Sequence, residues 1–239
     1  MMETERTKET AFKISDVFLV LIYCIIFDIV WIPFVLLSLS SIFSKFAIFP
    51  NLYFYPFLFF SIPLSVILPI FLKRKYGMKL RDLGIKSLRY KVDFFLGILA
   101  YLVVISVSII IFWIIWAVFG FPLPDSAKDN LLRLSFSTGN ILVNLLLVGL
   151  ICIYTPIFEE LYFRGYMYQA LRRKMKTKEA VCATAIIFSI LHFHFGLFLH
   201  YFAFGIASSY LFEKRRSLIP SITLHIFNNA VAVGLLLYF

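Results

Sequence analysis

Charged residues are few in this 239-residue chain. Asp, Glu, Lys and Arg supply 15% of it, and acids are the rarer sign, 13 against 23 bases. A soluble domain carries roughly 25% charged residues. So thin a charged complement excludes a disordered polyelectrolyte and leaves too little to cover a soluble enzyme of this size. Ten glycines and nine prolines are too few for a collagen-like or low-complexity chain. Three cysteines, Cys24, Cys152 and Cys182, sit in apolar stretches with no disulfide or metal-ligand spacing, so they read as small buried hydrophobes. What fills the chain instead is apolar: 62% hydrophobic, 19% aromatic, 29 phenylalanines, with a mean hydropathy of +0.92. A single globular core cannot hide that surplus. The composition is that of a polytopic membrane protein, and the expected fold is all-α, a bundle of transmembrane helices.

A spanning helix needs about 20 mostly apolar residues. Seven runs qualify, at about 17–41, 53–72, 94–119, 140–163, 179–195, 197–212 and 218–239. The count carries an error of one, because the sixth run is short and the linker 121–139 could hold a half-helix. The fourth run is expected to continue as helix to about residue 171. The first is too long for a signal-peptide core, so no cleavable signal is expected. Twenty of the 23 Lys and Arg residues fall in the tail and in alternate loops on one side. The positive-inside rule then puts the N-terminus in the cytoplasm and the C-terminus outside. The net charge of +10 is therefore a topology signal, helped by lipid headgroups, and nucleic acid is not an expected partner. A basic insertion at 73–91, bent at Gly77 and Gly84, divides two front helices (domain 1–93) from a helical core (94–239).

Ionisable groups within spans are costly and mark functional sites by default. Asp28 lies in the first span, Glu159, Glu160 and Arg164 at the end of the fourth, and His192, His200 and His225 in the last three. In TPIFEELYFRG (155–165), Pro156 can kink the helix, and Glu160 and Arg164 share a face and can pair. Glu159, rotated by about 100° from Glu160, is expected to face a cavity. The competing reading is a capped helix end at the interface. In FSILHFHF (188–195), Phe188 can pack under His192; His194 and His200 fall near the outer interface. In HIFNN (225–229), His225 and Asn229 share a face, with Asn228 beside them, offering N–H donors suited to an oxyanion. Polar glue between helices is the alternative for all of these.

Depth brings the three clusters together. Glu159 and His192 lie equally far from the basic turn between their helices. His225, nine residues past the next basic turn, lies about 14 Å in from the same side. A shared polar cavity opening to the cytoplasm accounts for all three.

The motifs EExxxR (Glu159, Glu160, Arg164), FxxxH (Phe188, His192) and HxxxN (His225, Asn229) resemble those of the CPBP intramembrane proteases, which comprise type II CAAX prenyl endopeptidases and bacterial relatives linked to bacteriocin processing or self-immunity. The resemblance covers roughly residues 140–235 and departs at no motif position. It implies hydrolysis of a peptide bond in or near the membrane, with Glu159 as the general base, His192 assisting, His225 and Asn229 holding the oxyanion, and Glu160, Arg164 and Phe188 organising the site. It also implies a membrane-associated peptide or prenylated protein as substrate, membrane lipids as surroundings, and a bacterial cytoplasmic membrane, or an endomembrane in a eukaryote, as location. No cofactor is favoured; HExxH is absent, and if zinc is bound its ligands are Glu159, His192 and His225. The alternative is a non-catalytic relative, such as an immunity factor or a regulatory partner of a membrane sensor.

Overall fold

The computed structural model describes residues 12–31, 34, 60–85, 89–120, 136, 141–192 and 194–238. These contain seven helices and no strand. In chain order they are α1 (14–31), α2 (Ser61–Tyr76), α3 (Tyr90–Phe119), α4 (141–172), α5 (Thr177–Leu191), α6 (Phe198–Arg215) and α7 (Ile219–Tyr238). Apolar runs take this form because lipid offers no partner to backbone N–H and C=O groups, and a helix satisfies them internally. The protein is an all-α helical membrane protein, as its composition requires.

Among the described residues, three helical stretches are long and apolar enough to cross a membrane: Tyr90–Phe119, Asn144–Arg172 and Ile219–Tyr238. The fourth expected run does continue past residue 163, to Arg172. The fifth, expected to reach 195, ends at Leu191. Its 15 residues extend about 22 Å, short of the roughly 30 Å hydrocarbon core. The linker 121–139 and the later parts of the first run fall outside the described residues, apart from Phe34 and Phe136.

Helix contacts are close where side chains are small, the usual mode of association in lipid. Gly205 of α6 lies against Ala185 of α5, where a Cβ would meet the Ala185 Cα at 2.7 Å. Gly97 of α3 lies against α7, and a Cβ there would meet the Pro220 carbonyl at 2.5 Å. The outer face of α3, with Phe95, Leu99, Val103, Ile110 and Trp113, is exposed and suits lipid.

The basic insertion bends where expected, at Gly77 and Gly84, both with positive φ (65° and 117°). It is less solvated than its charge suggests. Leu83 is fully buried, and the Gly84 carbonyl accepts the Leu218 N–H at 2.9 Å, tying the insertion to the α6–α7 turn. Arg215, beside that turn, pairs with Asp93 of α3 at 2.6 Å. The same end fixes α1. Asp16 pairs with Lys75 at 2.6 Å and accepts the Tyr76 hydroxyl. Burial alone would raise the Asp16 carboxyl, but these two donors outweigh it and hold it below the usual carboxylate range.

Candidate active site

Helix α4 carries the two adjacent glutamates on a short α-helical section, Thr155–Glu160, between two π-helical stretches, Leu150–Tyr154 and Leu161–Tyr168. Such wide turns recur at functional sites. The first has a local cause. The Thr155 N–H bonds to the Leu150 carbonyl instead of that of Ile151. Pro156 has no N–H to offer in its place. The Ile151 carbonyl is thereby left without a helical donor, and the side chain of Asn229 fills the gap, its Nδ2 donating at 2.9 Å. One proline thus anchors α7 to the catalytic candidate helix.

Glu160 is the centre of a buried network. One of its oxygens accepts Arg164 Nη1–H at 2.7 Å and His225 Nδ1–H at 3.0 Å; the other accepts the Ser208 hydroxyl at 2.7 Å. Arg164 also donates to the Gly205 carbonyl at 3.4 Å. The side chains of Glu160 and Arg164 are 0% exposed. The ion pair therefore lies in the protein interior, within a helix that continues to Arg172 rather than at a capped helix end. Glu159 points to the other edge of the same imidazole: its Oε2 is 3.8 Å from His225 Nε2. His225 stands between two carboxylates.

Phe188 links the second motif to this network. Its ring lies 4.2 Å from that of His192 and 5.9 Å from that of His225, and it stacks on Phe204. The Arg164 guanidinium sits 4.6 Å from its centroid, a cation–π contact in a dry setting. His192 donates through Nδ1–H to the Phe188 carbonyl at 2.7 Å, and it packs 4.1 Å from Tyr201. Glu159, at 9% exposed, and the half-buried His192 form the more open side of the cluster.

Each imidazole uses Nδ1 on a carboxylate or carbonyl, an arrangement that often supports metal ligation through Nε2. Yet among the described residues no group of three or more His, Cys, Asp or Glu is arranged to hold a metal ion. As placed, Glu159, His192 and His225 do not form such a group.

Two residues outside the motifs belong here. Ser208 donates to Glu160, and His200, expected near the outer interface, is buried between Ser108 and Asn228. Ser208 and Ser209, a hydroxyl pair in an apolar helix, were the only sequence signal for the first; position alone hid the second. Asp28 is buried in the π-helical turn Phe27–Trp31 of α1 and is not part of this network.

Residues 140–231 match the family model described as Type II CAAX prenyl endopeptidase Rce1-like. No curated protein and no solved structure matches the chain. The matched segment, 92 of the chain's 239 residues, holds Glu159, Glu160, Arg164, Phe188, His192, His225 and Asn229, and it is similar to the type II CAAX prenyl endopeptidases, as the three motifs are.

Proposed function

We propose that the protein is an intramembrane endopeptidase that hydrolyses a peptide bond of a membrane-associated or prenylated substrate. The observation that carries this reading is His225 held between Glu160 and Glu159. Glu159 accepts a proton from water, and the resulting hydroxide attacks the scissile carbonyl carbon. His225 already donates through Nδ1. A second proton taken up from solvent at Nε2 makes that edge a donor to the tetrahedral oxyanion, beside the second Nδ2 hydrogen of Asn229, and stays on the ring through the reaction. His192 helps orient the water and return the proton to the leaving nitrogen as the C–N bond breaks. Glu160, Arg164 and Phe188 hold the imidazole in place.

The test is cleavage of a farnesylated CaaX peptide by the purified full chain in liposomes. His192→Ala and His225→Ala are each expected to abolish cleavage, and His194→Ala to leave most of it. Equal losses from all three would indicate packing roles instead. Retained cleavage after chelation fits water activated by glutamate alone; loss that zinc restores would assign a metal. A non-catalytic role would show as full biological function in the Glu159 and His192 variants.

The orientation belongs to the same proposal, with the N-terminus in the cytoplasm and an odd number of spans. The loops 77–85, 173–176 and 216–218 gather at one end, which supports a single basic face. Cysteines placed at Lys176 and Phe239, in a Cys182→Ser background, are expected to label from opposite sides of the membrane. Labelling of both from one side would remove the odd count.

A further inference from the structure

We infer that His200 is a positioning residue that sets the side-chain orientation of Asn229. The inference rests on the protease reading for its catalytic consequence, though not for its geometry. Four helices contribute to one chain of hydrogen bonds. Ser108 of α3 lies 2.9 Å from His200 Nδ1; His200 Nε2 lies 3.0 Å from Asn228 Oδ1; Asn228 Nδ2 donates to Asn229 Oδ1 at 3.4 Å; and Asn229 Nδ2 donates to the Ile151 carbonyl at 2.9 Å.

The donor inventory fixes the direction of this chain. Asn228 uses its amide N–H on Asn229, so its Oδ1 must accept, and the donor is His200 Nε2–H. A neutral ring protonated there accepts at Nδ1, from the Ser108 hydroxyl. That hydroxyl also lies 2.8 Å from the Val104 carbonyl of its own helix and can serve only one acceptor at a time. Every group from Ser108 to Ile151 then donates to the next. Bonds ordered this way polarise one another, and a flip of either asparagine would set like groups face to face.

The last member of the chain matters most. Asn229 is held at both ends of its amide, by Asn228 on the oxygen and by the carbonyl that Pro156 orphans on the nitrogen. One Nδ2 hydrogen is committed to Ile151, so the second has a fixed direction. Without His200, Asn228 loses the donor to its oxygen and is free to turn, and the grip on Asn229 Oδ1 goes with it. Ser108 and His200 are buried, at 2% and 9% exposure, so water is poorly placed to substitute.

The experiment has a structural and a kinetic arm. The chain contains six asparagines, so selective 15N-asparagine labelling of the full protein in lipid nanodiscs gives six side-chain amide signals. Asn228 and Asn229 are assigned by substitution to Asp. His200→Phe is expected to move the Asn229 amide signals, His200→Gln, which can still donate to Asn228, to restore them, and Ser108→Ala to move them less. Asn229 signals unmoved by His200→Phe would overturn the inference whatever the enzyme cleaves. Should that variant fail to fold, unmoved signals in Ser108→Ala together with unrestored signals in His200→Gln would do the same.

In the kinetic arm, with the farnesylated CaaX peptide as probe, His200→Phe is expected to lower kcat on the order of ten- to a hundredfold at unchanged KM, with recovery in His200→Gln. In an Asn229→Ala background the same change should have no further effect; a full additional loss would overturn the assignment. A wild-type chain that leaves the peptide uncut would count against the substrate in the proposed function, and the amide signals would still decide the role of His200.

Discussion

Glu159→Gln is expected to give a folded protein whose turnover is at least about a hundredfold slower, the usual range for loss of a general base. The substitution keeps volume and hydrogen-bonding reach in a side chain that is 9% exposed and removes the basic oxygen facing His225 Nε2 at 3.8 Å. The fold should survive because Glu160, the acceptor of Arg164, His225 and Ser208, is untouched. Thermal melting in detergent checks the fold, and kcat for the farnesylated peptide checks the chemistry. Undiminished turnover would remove the catalytic assignment of Glu159 and the main reason for regarding the chain as an enzyme.

Glu160→Gln is expected to act on stability first. Glu160 accepts three donors, two of them on one oxygen, and its partner Arg164 is wholly buried. Removing one member of a buried ion pair costs about 3–5 kcal/mol, because the remaining charge loses its compensation in a low-dielectric interior. An amide can still accept at one oxygen, so the Ser208 or the His225 bond can persist while the charge balance does not. Yield and melting temperature should fall sharply, with activity per folded molecule reduced less than in Glu159→Gln. A paired change, Glu160→Gln with Arg164→Met, removes both charges and should recover much of the lost stability. Melting curves of the single and paired variants measure this directly, and equal melting in all three proteins would show that the pair carries no stability.

The helical membrane character was legible because hydropathy is summed over twenty residues at a time and tolerates local error. The pairing of Glu160 with Arg164 was legible because four residues fix a helical face whatever surrounds it. Burial of that pair was not: sequence shows how far Arg164 lies from a basic loop, but not that Phe163, Phe188 and Phe204 surround its guanidinium. The neighbours of His200 were hidden for the same reason. Its distance along α6 from the basic turn gives a depth, but its partners are set laterally by Ser108 on α3 and Asn228 on α7, and lateral contacts leave no trace in hydropathy. The role of Pro156 was seen only in part. A kink could be expected from the ring, but the acceptor it exposes becomes useful only because Asn229, 73 residues later, arrives opposite it.

The position of Phe188 has a consequence for how such a sequence can change over generations. Its ring touches the arginine of the first motif and the histidines of the second and third. A substitution that enlarges or shrinks any of those partners alters the space left to the other two. Drift in one motif must therefore be answered in its neighbours, and the three short motifs, spread over residues 159–229, are expected to change together.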